Sequence, residues 1–137
     1  MSTRMQSISS FAQAVALVRY EHVTAVNAGD VHGATEIFAP EGVLLPPGSP
    51  ALAGREAILQ WFTGIFGQFS LQGFAIEPDR VEERGEVLIE HGSWKATFFA
   101  RGSSRGLAGG GTYITIYGRA PDGGARVLYD TFNGLPG

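Results

Sequence analysis

The most informative part of this sequence is one long run of strand-forming residues, Val87-Leu-Ile-Glu-His-Gly-Ser-Trp-Lys-Ala-Thr-Phe-Phe-Ala100. Side chains of a strand alternate between the two faces of a sheet, so the run divides into two surfaces. The even-numbered surface is the more apolar of the two, because it carries Leu88, Trp94 and Phe98. We therefore predict that this surface faces the core and that Glu90 lies on it.

Glu90 is the one carboxylate on that apolar surface. Burying an unpaired charge is costly, so a carboxylate in such a place is paired, protonated or functional. Glu90 could accept hydrogen bonds from a neighbouring strand or pair with an arginine, and it could equally act as an acid or a base. The sequence leaves these interpretations open.

Helical periodicity replaces the strand pattern in the first part of the chain. Apolar residues recur at spacings of three and four between Phe11 and Ala25, which predicts a first helix from about Ser10 to Ala28. His22 lies on the apolar stripe of this helix. A histidine in such a place is more often a core residue than a catalyst, although histidine is the side chain that titrates nearest to neutral pH.

Two shorter helices are predicted to follow. Asp30 can cap the first of them, from Val31 to Phe38, and Pro40 stops it. A brief strand-like run at 43–45 and a proline-rich loop at 46–50 come next, and the third helix is predicted from about Arg55 to Phe66.

Beyond residue 67 the pattern changes to the period of a strand. We predict strands at 74–78, 80–83, 87–100, 112–118 and 126–132. The glycine-rich stretches 102–111 and 118–124 interrupt these runs and are predicted to be hairpin loops. Helices followed by an antiparallel meander indicate an α+β fold and argue against a βαβ fold with a dinucleotide site.

Length and composition indicate a single domain that spans residues 1–137, since 44% of the residues are hydrophobic and 17% are charged. The net charge of −3 provides no basic surface for nucleic acid or for a membrane. No apolar run approaches the ~20 residues of a membrane span. The chain contains no cysteine, which is compatible with a reducing compartment, and we expect a soluble cytoplasmic protein.

Sequence motifs for a metal or a cofactor are absent. The three histidines lack the spacing of a metal site. Gly109-Gly-Gly111 is not followed by the Lys-Ser or Lys-Thr of a phosphate-binding loop. We therefore predict neither a metal nor a cofactor.

Four segments resemble the N-terminal half of the SnoaL-like and ketosteroid isomerase-like proteins: Val26-Asn-Ala-Gly-Asp30, Ile37-Phe-Ala-Pro-Glu-Gly-Val43, Leu45-Pro-Pro-Gly-Ser-Pro50 and Ala53-Gly-Arg-Glu-Ala-Ile58. Residues 128–134 resemble the last strand of the SgcJ/EcaC-type branch, also called DUF4440. The resemblance covers about the whole chain. It implies an NTF2-like, cystatin-like cone, in which three N-terminal helices pack on a curved antiparallel sheet around a pocket. It also implies a homodimer.

The same resemblance can be carried to single positions. A hydrogen-bonding tyrosine on the first helix of the isomerases corresponds to His22 here, and their catalytic aspartate corresponds to Pro46. Their second acid, which donates to the oxyanion, falls near Thr115. An aromatic residue on their last strand corresponds to Phe132, two residues after Asp130. Because both acids are missing from their places, we do not expect ketosteroid isomerase activity.

We assign the remaining polar and aromatic candidates to one predicted site. The candidate catalytic residues are His22, Glu90 and Asp130, and the candidate ligand-binding residues are Trp61, Trp94, Tyr113, Thr115 and Phe132. Asp130 could also be a structural partner of a loop amide or of His22. Aromatic residues placed like Trp94 and Phe132 more often belong to the core than to a pocket wall.

The orientation of the strand at 112–118 is left open. Ile114 and Ile116 are plainly apolar, and this pattern predicts that Tyr113 and Thr115 point outward. The resemblance implies that Thr115 points into the pocket.

Two classes of function are compatible with the sequence. The first is acid/base catalysis on a small apolar molecule, as in an isomerase, a cyclase or a hydratase. The alternative is a non-catalytic ligand-binding or dimerisation module. In either case the apolar outer surface of the long strand, with Val87, Ile89 and Phe99, favours a homodimer.

Overall fold

A computed structural model of the protein describes residues 9–136. Within this range, three helices form the first layer. They are α1 (Ser10–Ala28), α2 (Val31–Glu36) and α3 (Arg55–Gln68). Local chemistry explains the boundary between the first two. Gly29 ends α1 with a φ of 67°, and the Asp30 side chain accepts a hydrogen bond from the Gly33 backbone N–H at the start of α2. The three predicted helices are confirmed.

Six strands form one curved, open sheet: β1 (Phe38–Leu45), β2 (Leu52–Ala53), β3 (Phe69–Arg84), β4 (Val87–Ala100), β5 (Gly106–Arg119) and β6 (Ala125–Phe132). Their order across the sheet is β2-β1-β6-β5-β4-β3. The α+β architecture is confirmed. The prediction of a wholly antiparallel sheet is wrong for one pair, because β1 and β6 run parallel. In the chain, β1 and β6 are separated by a long connection that contains α3 and the β3–β5 meander. This connection brings β6 back beside β1 in the same direction.

Three local predictions also differ from the structure. Pro40 lies inside β1, which begins at Phe38, so α2 ends before the proline is reached. The two strands predicted at 74–78 and 80–83 are one bent strand with irregularities at Gln72/Ala75 and Pro78/Arg80. Residues 106–111 are paired with β4 as part of β5 and are not a hairpin loop.

The glycines of β5 allow close contacts with neighbouring groups. A Cβ atom at Gly109 would lie 2.6 Å from the Phe98 ring, and one at Gly111 would lie 2.1 Å from Oδ1 of Asn133. Real Cβ atoms do not approach other atoms so closely. Glycine is therefore required here for packing, and the strand runs on through it.

The register of β4 is the one that its apolar pattern predicts. Leu88, Glu90, Trp94, Ala96 and Phe98 are all buried on the face that lies toward the helices. Cross-strand pairing extends this face into a row across four strands, in which Glu90 of β4 pairs with Thr115 of β5, Thr115 with Asp130 of β6, and Asp130 with Leu44 of β1. The row places two carboxylates on the inner face of the sheet.

A short segment after β6, residues 133–136, lies across β5, and we call it the C-terminal strap. The backbone N–H of Gly110 donates to the Gly134 carbonyl at 3.0 Å. The Asn133 side chain accepts from the Thr112 backbone N–H at 3.0 Å and donates to Thr112 Oγ1 at 2.8 Å. The indole N–H of Trp94 donates to the Asn133 carbonyl at 2.8 Å. The strap therefore connects the inner face of β4 to the end of the described chain.

Candidate functional site

A cavity of about 90 Å³ lies between the helices and the inner face of the sheet. Its walls are mainly aromatic and are formed by Trp61, Phe62, Phe74, Trp94, Phe98 and Phe132. Most pairs of these rings meet edge to face, as in the pair of Trp94 and Phe132, whose centroids are 5.7 Å apart. Leu135 of the C-terminal strap also lines the cavity. Such a site suits a small apolar molecule.

Glu90 lies at the polar side of the cavity with both oxygens engaged. Its side chain has no exposed surface. The Nε of Arg19 lies 3.2 Å from Oε1 and 3.1 Å from Oε2, and a terminal nitrogen of Arg19 forms an ion pair with Oε1. The Tyr113 hydroxyl donates to Oε2 at 2.6 Å. Burial, the hydrogen bond to Glu90 and the negative charge of Glu90 raise the pKa of Tyr113 far above its ordinary value.

Asp130 is the second carboxylate of the row, and it is only half engaged. Thr115 Oγ1 donates to Oδ1 of Asp130 at 2.9 Å. No hydrogen bond to the other oxygen, Oδ2, is present among residues 9–136, and Asp130 lines the cavity. Burial raises the pKa of Asp130 to about 7; the Thr115 hydrogen bond acts against this shift, and the charge of Glu90 adds to it.

His22 is placed on the cavity wall as an aromatic surface. Its ring lies edge to face against Phe74 and Phe62, with centroids at 5.7 and 6.3 Å. Its Nδ1 is buried and has no partner within the described residues. Burial lowers the pKa of His22 to about 4, so the ring is neutral at physiological pH.

The strand whose orientation the sequence left open points its polar residues inward. Tyr113, Thr115 and Tyr117 are buried, whereas Ile114 is 46% exposed. The expectation based on the isoleucines is wrong, and the one based on the resemblance is confirmed for Thr115. Hydrogen bonds from Tyr113 and Thr115 to the two carboxylates satisfy these polar side chains inside the protein.

The structure brings all of the predicted site residues to this one cavity. His22, Glu90 and Asp130 line it together with the predicted wall residues Trp61, Trp94, Tyr113, Thr115 and Phe132. Sequence reasoning missed Arg19 and Tyr117. A signal for Arg19 exists, because it follows Val15 by four residues and so lies beside the apolar stripe of α1 that carries His22. Tyr117 shares the inner face of β5 with Tyr113 and Thr115.

Within residues 9–136, no group of three or more His, Cys, Asp or Glu side chains could hold a metal ion. No helix in that range is long and apolar enough to cross a membrane.

Known proteins resemble this chain in sequence and in structure. The profile of the SnoaL-like domain matches residues 20–127. Among curated proteins, none matches this chain.

Solved structures resemble the chain over most of its length. A ketosteroid isomerase-like protein from Erwinia carotovora atroseptica aligns with a TM-score of 0.79 at 14% identity, over 91% of this chain and 96% of its own. An NTF2-like superfamily protein from Salmonella enterica aligns with a TM-score of 0.75 at 15% identity, over 91% of both chains. A candidate dehydratase of the NTF2-like family from Streptomyces avermitilis aligns with a TM-score of 0.78 at 15% identity, over 90% of this chain and 95% of its own. These similarities confirm an NTF2-like fold.

Proposed function

The chain belongs to the SnoaL-like domain family, and on that basis we propose that it is an enzyme that moves a proton on a small apolar molecule, with Asp130 as the acid and base. One observation carries this proposal. Asp130 lines an aromatic cavity with only its Oδ1 engaged by a donor from residues 9–136, and burial brings its pKa to about 7. A group whose pKa lies near the working pH is populated in both protonation states, which is what acid/base catalysis requires.

The other two candidate catalytic residues are less suited to this role. Glu90 uses both of its oxygens to accept from Arg19 and Tyr113, so neither is left for a ligand. His22 has its pKa lowered to about 4, and its imidazole does not accept a proton near pH 7. We therefore assign proton transfer to Asp130 and a wall position to His22.

The surrounding residues support a single proton-transfer step. Thr115 holds Oδ1 of Asp130 and leaves Oδ2 available to a bound molecule. The aromatic walls exclude water and hold the body of the molecule. Isomerisation, aldol cyclisation and addition or removal of water each need one such proton carrier. The candidate dehydratase among the structural neighbours is compatible with this range.

A chromogenic proton-abstraction probe tests the assignment. In 5-nitrobenzisoxazole a base removes the ring C–H proton, the N–O bond breaks, and a coloured cyanonitrophenolate forms. We expect wild-type protein to accelerate this reaction, with a rate that rises with pH and levels off above about pH 7 because the ionised carboxylate is the base. Asp130→Asn should lower the rate by about 10²-fold or more.

Asp79→Asn is the matched control, because Asp79 is an exposed aspartate of β3. It should leave both the rate and its pH dependence unchanged. Equal rates for the wild type and Asp130→Asn would contradict the assignment of Asp130 as the base.

Ketosteroid isomerisation is not the activity we propose. The position of the isomerase base is occupied by Pro46, which has no titratable group. The place of the oxyanion-donating acid is Thr115, whose hydroxyl is already donated to Asp130. A ligand that uses Asp130 must lie against β6.

The second candidate function is a ligand-binding module without chemistry. The observation in its favour is the size of the cavity, about 90 Å³, which is below the ~300–1,000 Å³ of typical ligand pockets. The two functions differ in one outcome. A binding module would retain ligands in Asp130→Asn and would show no rate above background with the benzisoxazole probe.

We also propose that the protein is a homodimer in the cytoplasm, with the outer face of the sheet as its interface. This face carries two apolar rows, in which Ile89 pairs with Ile116 and Ile116 with Tyr129, while Ile114 and Leu45 flank Thr131. Ile114 and Tyr129 are 46% and 49% exposed in the single chain. Apolar surface of this kind favours burial against a second copy.

Light scattering at micromolar concentration should give twice the monomer mass. Tyr129→Lys should give the monomer, because it places a charge at the centre of this face. Leu17→Lys, at an exposed site on α1, is the control and should leave the mass unchanged. A monomeric wild type would contradict the proposal.

A further inference from the structure

Arg19 is the only arginine or lysine that lines the cavity in the part of the chain that the structure describes, and the His22 beside it is neutral. A cation in an apolar cavity normally attracts an anionic ligand, since it supplies the partner that a buried charge needs. In this cavity the cation is already matched, because Glu90 forms an ion pair with it. The remaining carboxylate, Asp130, adds only negative charge.

The match between Arg19 and Glu90 is close. The Arg19 Nε–H points at both carboxylate oxygens, at 3.2 and 3.1 Å, and a terminal nitrogen reaches Oε1 as well. Tyr113 occupies Oε2 from the other side at 2.6 Å. Glu90 itself has no exposed surface, so water does not compete for either oxygen. A ligand carboxylate would have to displace Glu90 from this arrangement or remain unpaired.

We infer that Glu90 determines the charge class of the ligand: by occupying Arg19 it restricts the cavity to small uncharged molecules and excludes their carboxylate analogues. This inference rests on the proposed function in assuming that the cavity takes a small molecule. It assigns Glu90 a role in specificity in place of catalysis. The aromatic walls favour a ligand that is itself aromatic.

Two ligands of equal shape, benzamide and benzoate, test the inference in wild-type protein by isothermal titration calorimetry. At about pH 5.5 Asp130 is largely protonated, so its own charge does not repel benzoate. At this pH, and again at about pH 8, we expect benzamide to bind at least about a hundredfold more tightly than benzoate, because the benzoate charge would be desolvated without a partner.

Glu90→Gln frees the guanidinium of Arg19 without changing the size of the side chain. We expect it to raise the ratio of benzoate to benzamide affinity by at least about tenfold. The double variant Arg19→Gln/Glu90→Gln removes both charges and should return the ratio toward the wild-type value. This contrast distinguishes the charge of Arg19 from a general loosening of the cavity.

The possible results separate the inference about Glu90 from the proposed function. Equal binding of benzoate and benzamide by the wild type would overturn the inference and leave the proposed function standing. Binding of neither ligand would overturn the proposed function and the inference with it. If Glu90→Gln does not fold, the wild-type ratio at the two pH values still decides the question. An unchanged ratio in a folded Glu90→Gln variant would show that Glu90 is not the specificity determinant.

Discussion

Glu90 and Asp130 are two carboxylates on the same inner face of the sheet, in the same cross-strand row, with Thr115 between them. Glu90 is surrounded by donors and has no exposed surface. Asp130 lines the cavity and has one donor among residues 9–136, Thr115. The difference shows that burial alone does not make a carboxylate reactive. The number of donors that reach it separates a structural acid from a chemical one.

The largest effect is expected from breaking the Glu90 side of this comparison. Glu90→Gln leaves the Arg19 guanidinium partly buried without its counter-charge, which typically costs about 3–5 kcal/mol. Asp130→Asn at about pH 8 removes an unpaired buried charge and should leave the free energy of unfolding equal or higher. Urea unfolding followed by circular dichroism measures both. A larger loss for Asp130→Asn than for Glu90→Gln would reverse the roles given to the two acids.

A second prediction concerns how stability depends on pH at the Asp130 side. The pKa of Asp130 is raised from ~3.9 in the unfolded chain to about 7 in the folded protein. Between these values the folded state binds more protons, so the contribution of Asp130 to stability is lost as the pH rises. The free energy of unfolding of Asp130→Asn, relative to wild type, should therefore increase by about 1.4 kcal/mol per pH unit from about pH 4 to 7.

His22 contributes in the opposite direction, which is why the comparison is made between the variant and the wild type. Its pKa falls from 6.5 to about 4 on folding. The unfolded state binds more protons between these values, so stability rises with pH in this range. Asp130→Asn should reveal that rise, because the opposing contribution has been removed. A pH-independent difference between the two proteins would show that Asp130 titrates near its ordinary value.

The smallest effect is expected at Thr115, which supplies the one donor that Asp130 has among residues 9–136. Thr115→Val keeps the shape of the side chain and removes the hydrogen bond. Because that bond holds the pKa of Asp130 down, we expect the pKa to rise by up to about one unit. The midpoint of the pH–rate profile with the benzisoxazole probe measures the shift. A midpoint that moves to lower pH would contradict the donor role of Thr115.

The parts of the fold that follow from local patterns could be predicted from the sequence. The stripe of α1 and the register of β4 are examples, because the solvent-facing and core-facing residues differ along one element. The parallel pairing of β1 with β6 could not be predicted, since residues far apart in the chain determine it. The glycine-rich half of β5 has the sequence of a loop. Its glycines are required by close contacts with Phe98 and Asn133, which lie on other segments, so the local sequence does not reveal the strand.

The candidate site was predictable to a similar extent. The alternation of β4 placed Glu90 on the inner face, but the pattern could not name Arg19, which lies 71 residues away, as its partner. The face of β5 was ambiguous because both of its sides carry large side chains. On the inner side, Tyr113 and Thr115 donate to the two carboxylates, while Ile114 is exposed on the outer side. Contacts between residues far apart in the chain decide which of the two carboxylates has both oxygens engaged. A local sequence pattern does not show such contacts.

The C-terminal strap has a consequence for the evolutionary record of this family. Gly134 has a φ of 97°, and a Cβ atom there would lie 2.0 Å from the carbonyl oxygen of Gly110. Gly111 is under the same constraint, because its Cβ would lie 2.1 Å from Asn133 Oδ1. A relative that retains the strap must therefore retain glycine at both places, and one that has lost the strap is free to substitute both. Joint variation at positions 111 and 134 would mark the relatives that hold the Trp94 wall in the same way.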